Sequence, residues 1–261
     1  MGSVEPWGDR APPENGETQR LDVGPVSVWL RRVENEVWIA NRLDTAGSAH
    51  DTPPEDHEWS RWAFNDEPHV LRMRPFFPDR PLVVQPEHPF TLLSGAEARV
   101  YARVPVWVRL EAVEAAVGTS TLLTEIPTTS LSETWWGTFT EGELAYWLPT
   151  AARRYVTADL FEAHRIMCTL QLENRSGDDL LVEKLMLRVE HLSIFRRDEE
   201  LWAEEVEVHY QGVEEGSSIL MEDEPPAEAS GARLISPPRV QSRSFQARTF
   251  ARLKALSGLG G

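Results

Sequence analysis

From Val100 to Leu110 every second residue is apolar. Val100, Ala102, Val104, Val106, Val108 and Leu110 fall in one register, and Tyr101, Arg103, Trp107, Arg109 and Glu111 fall in the other. A side-chain period of two belongs to a strand, because a helix with 3.6 residues per turn spreads such a row around its axis. Residues 98–112 are therefore expected to form one long strand. Its even positions should lie in a core, and its odd positions, Arg103 and Arg109 among them, should face water. Pro105 has no N–H to give to a ladder, which places it at an edge or a bulge.

The same reading extends along the chain. Residues 26–30 and 36–40 suit a hairpin turning at Glu34-Asn35. Ile166, Cys168, Leu170 and Leu172 alternate with Met167, Thr169 and Gln171, so 164–173 is expected as a strand that returns through the 174–179 turn to a partner at 180–195. Residues 202–210 alternate again, and the acidic, Pro- and Gly-punctuated stretch 212–232 reads as a loop. Many short strands cut by turn residues, with no alternating helices, imply an all-β fold, a β-sandwich or jelly roll. After Ser236-Pro-Pro238 the pattern changes. Phe245, Thr249, Phe250, Leu253 and Leu256 share an arc of about 140° on a helical wheel, bordered by Arg243, Arg248, Arg252 and Lys254, with Gly258 placed as a stop. This predicts one C-terminal amphipathic helix. The expected organisation is a disordered segment 1–20, a β-sandwich over 21–238 with a division near 155, and a helix and tail over 239–261.

Residues 131–154 concentrate large rings: Trp135, Trp136, Phe139, Tyr146 and Trp147. Glu141-Gly142 sits midway as a turn signal, giving a second hairpin. In its second half Leu144, Tyr146 and Leu148 alternate with Ala145 and Trp147, which suits a strand buried on both faces.

Charge and composition exclude several classes of function. The 24 Arg and 2 Lys face 42 acids, a net charge of −16, which argues against a nucleic-acid binder. The distribution is uneven: residues 198–232 carry twelve acids and no Lys or Arg, and residues 233–261 carry six basic residues and no acid, leaving −10 on the rest. No apolar run approaches the roughly 20 residues of a membrane helix. The first residues show neither a basic start nor an apolar core of a signal peptide. The single cysteine, Cys168, precludes an internal disulfide and suggests a reducing cytoplasm, where it serves as a small buried hydrophobe.

Motifs with a known chemical logic are missing from the sequence. It has no Gly-rich phosphate loop, no Gly-x-Ser-x-Gly elbow, no His-Glu-x-x-His and no Cys-x-x-Cys. His50 and His57, and His164 and Cys168, are pairs without further ligands, so neither a metal nor a cofactor nor a catalytic residue is expected. Candidate ligand-binding residues are Trp135 and Trp136 as a platform, Glu141 as a nearby carboxylate, and Arg153 and Arg154 as a grip on an anion. Against that stand the ordinary roles of these residues: tryptophans fill β cores, turn glutamates face water, and arginines pair with acidic surface.

The stretches Leu131-Ser-Glu-Thr-Trp-Trp-Gly, Glu141-Gly-Glu-Leu-Ala-Tyr-Trp, Thr150-Ala-Ala-Arg-Arg, Arg188-Val-Glu-His-Leu-Ser-Ile-Phe and Ile235-Ser-Pro-Pro-Arg together resemble a prokaryotic family, domain of unknown function 432, over about residues 25–256. The resemblance implies one domain and carries over no activity, cofactor or catalytic residue. The preferred expectation is a non-enzymatic protein-interaction module whose C-terminal helix docks on its own sandwich, on a second copy or on another protein. Nucleic acid is no expected partner, and an acidic body disfavours an anionic membrane surface. The alternative is a small-ligand or carbohydrate-binding jelly roll with weak hydrolase chemistry. Ring exposure separates the two, since a sugar site displays two or more coplanar rings in a groove beside a carboxylate.

Overall fold

The computed structural model describes residues 5–44, 52–65, 70–113, 119–213, 215–241, 244–247 and 249–250. Within them the chain is all-β. Strands form five sheets, and the helical elements are short 3-10 turns such as Ala158–Leu160 and Val189–His191.

The alternating segment 98–112 explains much of the architecture, though as two strands rather than one. Glu97–Pro105 pairs antiparallel with Arg165–Asn174 in an eight-stranded sheet. Trp107–Val113 pairs with Val70–Phe76 and Ser120–Pro127 in a four-stranded one. The break falls at Val106, beside the proline that cannot continue the ladder. Its backbone is still satisfied: the Val106 N–H donates to His164 O at 3.0 Å, and Val106 O accepts the Thr128 hydroxyl at 2.7 Å. All six even positions are buried, as the alternation requires.

The odd positions are not in water. Tyr101 is buried with Leu160, Met167, Trp202 and Ala229, because the segments around Leu160 and Ala229 fold over that face as a second layer. Arg109 lies over the Phe76 ring at 3.7 Å and meets Glu125 at 2.7 Å. Arg103 lies 3.6 Å from Glu162, so both arginines point away from the core but are largely covered.

Arg165–Asn174 is the hub of the eight-stranded sheet. On its other side it pairs parallel with Glu200–Ala203 and Val206–Gly212. The expected partner at 180–195 is corrected, since that stretch divides into Leu180–Val182, Leu185–Leu187 and Ile194–Arg197, each in a different sheet. Asn174 is the cause of the diversion. Its buried side-chain amide donates to Leu92 O at 2.9 Å and to Asp178 O at 2.8 Å, which turns the following strand onto Phe90–Leu92.

Three further expectations change. Residues 5–20, taken as part of a disordered segment, include the strand Gly8–Arg10 on Val70–Phe76, the buried Trp7 and the start of Thr18–Val23. The 212–232 loop contains the strand Gly216–Met221, a hairpin partner of Val206–Gly212. The C-terminal helix is not found where the structure describes the chain: Ser244–Ala247 is a strand on Gly216–Met221. The free edge of that neighbouring strand offers a ladder, which outweighs the helical periodicity. The rest of the helix expected over 242–256, residues 242, 243, 248 and 251–256, lies outside the described residues. The opening hairpin forms as expected, Val26–Val33 with Glu36–Leu43, with Glu34 at φ 52° in its turn. A single apolar cluster runs from Trp7 to Met221 and joins the sheets.

Candidate functional site

The aromatic hairpin pairs Ser132–Gly137 with Gly142–Trp147. It is held to the body by a short parallel pairing with Leu82–Val84, which leaves Ser132–Gly137 as the outermost strand of its sheet among the described residues. One face packs: Trp136, Ala145 and Trp147 close on Val83 and Met186. The other face is open, and the expectation of a strand buried on both sides is corrected by Leu144, which is exposed. An edge hairpin has only one neighbour layer to pack against, so its second face stays in water.

Two glycines shape the turn. Gly137 sits at φ 120°, where a Cβ would meet Glu141 O at 2.4 Å. At Gly142 a Cβ would meet the Trp135 indole nitrogen at 2.4 Å, so the missing side chain is what lets that ring fold across the hairpin. The indole N–H then donates to Thr138 O at 2.9 Å. Trp135 remains 52% exposed, whereas Trp136 is 7% exposed.

Between this hairpin and the hairpin of Val206–Gly212 with Gly216–Met221 lies a cleft of about 590 Å³. The first hairpin contributes Trp135, Trp136 and Trp147, and the second contributes Tyr210 and Val213. Leu181, Glu183, Lys184, Thr249 and Phe250 complete the lining that matters here. The Lys184 ammonium stands 5.4 Å from the Trp147 ring centre, so that ring face already has a cation on it. Tyr210 and Phe250 meet edge to face at 5.5 Å.

Behind the cleft a charged group braces the hairpin. Arg188 pairs with Glu143, and its guanidinium also lies 3.9 Å from Glu190. Burial pushes the Glu190 carboxyl up to about 7, outweighing the lowering by Arg188. The same burial depresses His191, with Arg188 adding to the effect.

Of the residues singled out in the sequence, the structure brings Trp135 and Trp136 to the cleft and keeps the other three away from its lining. Glu141 sits at the hairpin tip, where its carbonyl accepts the Thr138 N–H at 2.8 Å. Arg153 exchanges two backbone bonds of 2.8 Å with Tyr101, and its side chain is 3.7 Å from Glu87. The Arg154 guanidinium lies over Phe90 at 4.9 Å. Sequence reasoning missed Lys184, Tyr210 and Phe250. The signal for Tyr210 was the glycine pair Gly212 and Gly216 just beyond it, which allows a tight hairpin inside an acidic stretch.

Among the described residues no group of three or more His, Cys, Asp or Glu is placed to hold a metal ion. No helix among them is long and apolar enough to cross a membrane. Neither a curated protein nor a solved structure matches the chain. A family model does match, over residues 6–254, covering both hairpins, the cleft between them and the strands that carry them: the chain belongs to the family described as Protein of unknown function (DUF432).

Proposed function

We propose that this protein is a non-enzymatic interaction module whose cleft takes an extended segment of a partner protein. The observation that carries this reading is the position of Trp135. Its half-exposed ring stands beside the cleft on Ser132–Gly137, the outermost described strand of its sheet. An edge strand offers main-chain groups for an added strand, and an adjacent aromatic pocket reads the side chains of that strand. A volume of about 590 Å³ falls within the usual range for a binding cleft.

The carbohydrate reading has less support. Trp136 is nearly covered and Lys184 occupies one face of Trp147, so Trp135 is the one ring of the three with a broad open surface. A reducing compartment such as the cytoplasm suits a chain whose lone cysteine, Cys168, has no disulfide partner within it.

Panning a random peptide library against the wild-type protein and against Trp135→Ala tests the reading. Selected peptides should lose affinity at least tenfold on Trp135→Ala, which corresponds to about 1.4 kcal/mol. If Trp135-dependent binding appears on a glycan array and not with peptides, the carbohydrate reading replaces this one.

A further inference from the structure

The outer side of Ser132–Gly137 is open: among the described residues no strand bonds to it. Which of its backbone groups face that side follows from its neighbour. The Tyr146 N–H turns away from the hairpin to donate to Pro81 O at 2.8 Å, so Glu133, the residue opposite Tyr146, turns its own N–H and C=O outward. The alternation of an antiparallel pair then directs those of Trp135 and Gly137 outward as well.

Sheet edges are ordinarily blunted by charge, proline or a bulge. Other outer strands of this fold follow that rule. Ser120–Pro127 and Arg233–Ser236 each show a break in register, and Thr18–Val23 carries Arg20 and Asp22. Ser132–Gly137 keeps its register throughout, has no proline, and bears one charge, Glu133, which Arg80 already pairs at 2.6 Å. In a chain of net charge −16 this is a locally neutral edge, where a second copy is repelled least.

We propose that the added strand is Ser132–Gly137 of a second copy of this chain, paired antiparallel about a two-fold axis through Trp135. The inference rests on the edge-strand part of the docking reading above and names its partner. In this register Trp135 faces Trp135 of the second copy and Glu133 faces Gly137, so every outward residue of each strand finds main-chain partners. Glu133 then meets a residue with no side chain. Pairing Trp135 with Glu133 or Gly137 of the second copy instead leaves one outward residue on each strand unmatched, and centring on Glu133 sets two carboxylates face to face. Trp135 and Leu144, opposite one another and about half exposed, share the open face of the hairpin. Pairing continues that face across both copies and draws its apolar groups together.

Sedimentation equilibrium of the full chain tests this. The expected mass is twice the 29.6 kDa of one chain. Trp135→Pro removes the central N–H at a position where an edge strand tolerates proline, and should raise the dissociation constant of the dimer at least about tenfold. The register has its own readout. Trp135→Cys should form an interchain disulfide under mild oxidation, since the Cα atoms of a hydrogen-bonded pair lie about 5.5 Å apart. Glu133→Cys should not, because Glu133 of one copy faces Gly137 of the other. Cys168, the one native cysteine, is fully buried and stays silent while the protein is folded. Should Trp135→Pro lose its fold by circular dichroism, the wild-type mass and the two cysteine variants decide. A wild type that stays monomeric at its highest soluble concentration overturns the proposal, and so does a dimer indifferent to Trp135→Pro or joined through Glu133→Cys. A monomer that still selects Trp135-dependent peptides sinks the second copy and leaves the docking reading standing. A dimer joined through Trp135→Cys that selects no such peptides sinks the cleft as a peptide site and leaves the second copy in place.

Discussion

Glu190 is where a single side chain most clearly costs the fold something. Its carboxyl is largely buried, and Arg188 at 3.9 Å only partly offsets the lost hydration. The folded state therefore keeps its proton up to about pH 7, while an unfolded chain releases it near the ordinary carboxylate value. Folding is favoured below that ordinary value, and this contribution is lost as pH rises through about 7. Glu204, also pushed up by burial, acts with the same sign, even though the backbone N–H groups of Ser193 and Asp223 donate to it. Glu190→Gln should flatten part of the decline between pH 5 and 8, worth about 2–3 kcal/mol at the upper pH. Chemical denaturation at both pH values checks it, and an identical pH slope in wild type and variant counts against it. None of this was legible in the sequence. Glu190 and Glu204 look like two more members of a heavily acidic chain, and their burial comes from elements far along the backbone.

At the scale of elements, the break at Val106 joins two sheets. Val106 is buried, belongs to neither flanking strand, and bonds His164 on one side and Thr128 on the other. Val106→Ala should cost about 1–3 kcal/mol as a large-to-small change in a packed interior. A urea titration with an unchanged slope and a lowered midpoint is the expected result, and a shift below 0.5 kcal/mol would place the residue in a looser site than described. The alternation from Val100 to Leu110 was legible because a period of two needs no partner to be recognised. That the run divides between two sheets was signalled only by Pro105. That the odd-numbered face of the first half is covered was not legible, because the layer around Leu160 and Ala229 arrives from distant sequence. The aromatic hairpin reads the same way. Its turn was visible in Glu141-Gly142 and Trp135 and Trp136 were singled out, but Lys184, Tyr210 and Phe250 come from distant parts of the chain and join them only through tertiary packing. At the C-terminus a real helical periodicity lost to an open sheet edge, since propensity is a weak prior beside a ladder.

For the whole molecule, the all-β class follows from local pattern, whereas the order of strands does not. The hub strand Arg165–Asn174 pairs parallel with Glu200–Ala203 and Val206–Gly212, and such crossovers leave no short-range trace comparable to a hairpin turn. The acidic stretch 198–232 finds its counter-charges the same way: Arg99, on a strand a hundred residues earlier, binds Glu205 at 2.5 Å and Glu228 at 2.9 Å. At the centre of this arrangement sits Cys168, flanked by Glu97–Pro105 on one side and backed by the main core, with burial raising its thiol far above the ordinary range. The thiolate is the reactive form, so a modifying reagent must wait for the hub strand to separate from its neighbours. The protein thus carries a built-in gauge of its own opening. At low reagent the rate of Cys168 modification should follow the equilibrium stability, and at saturating reagent it should level off at the rate of unfolding. Each destabilising substitution should speed the low-reagent rate by the factor its free-energy change sets, and modification as fast as that of an unfolded peptide would mean that the hub strand is not the interior of the fold.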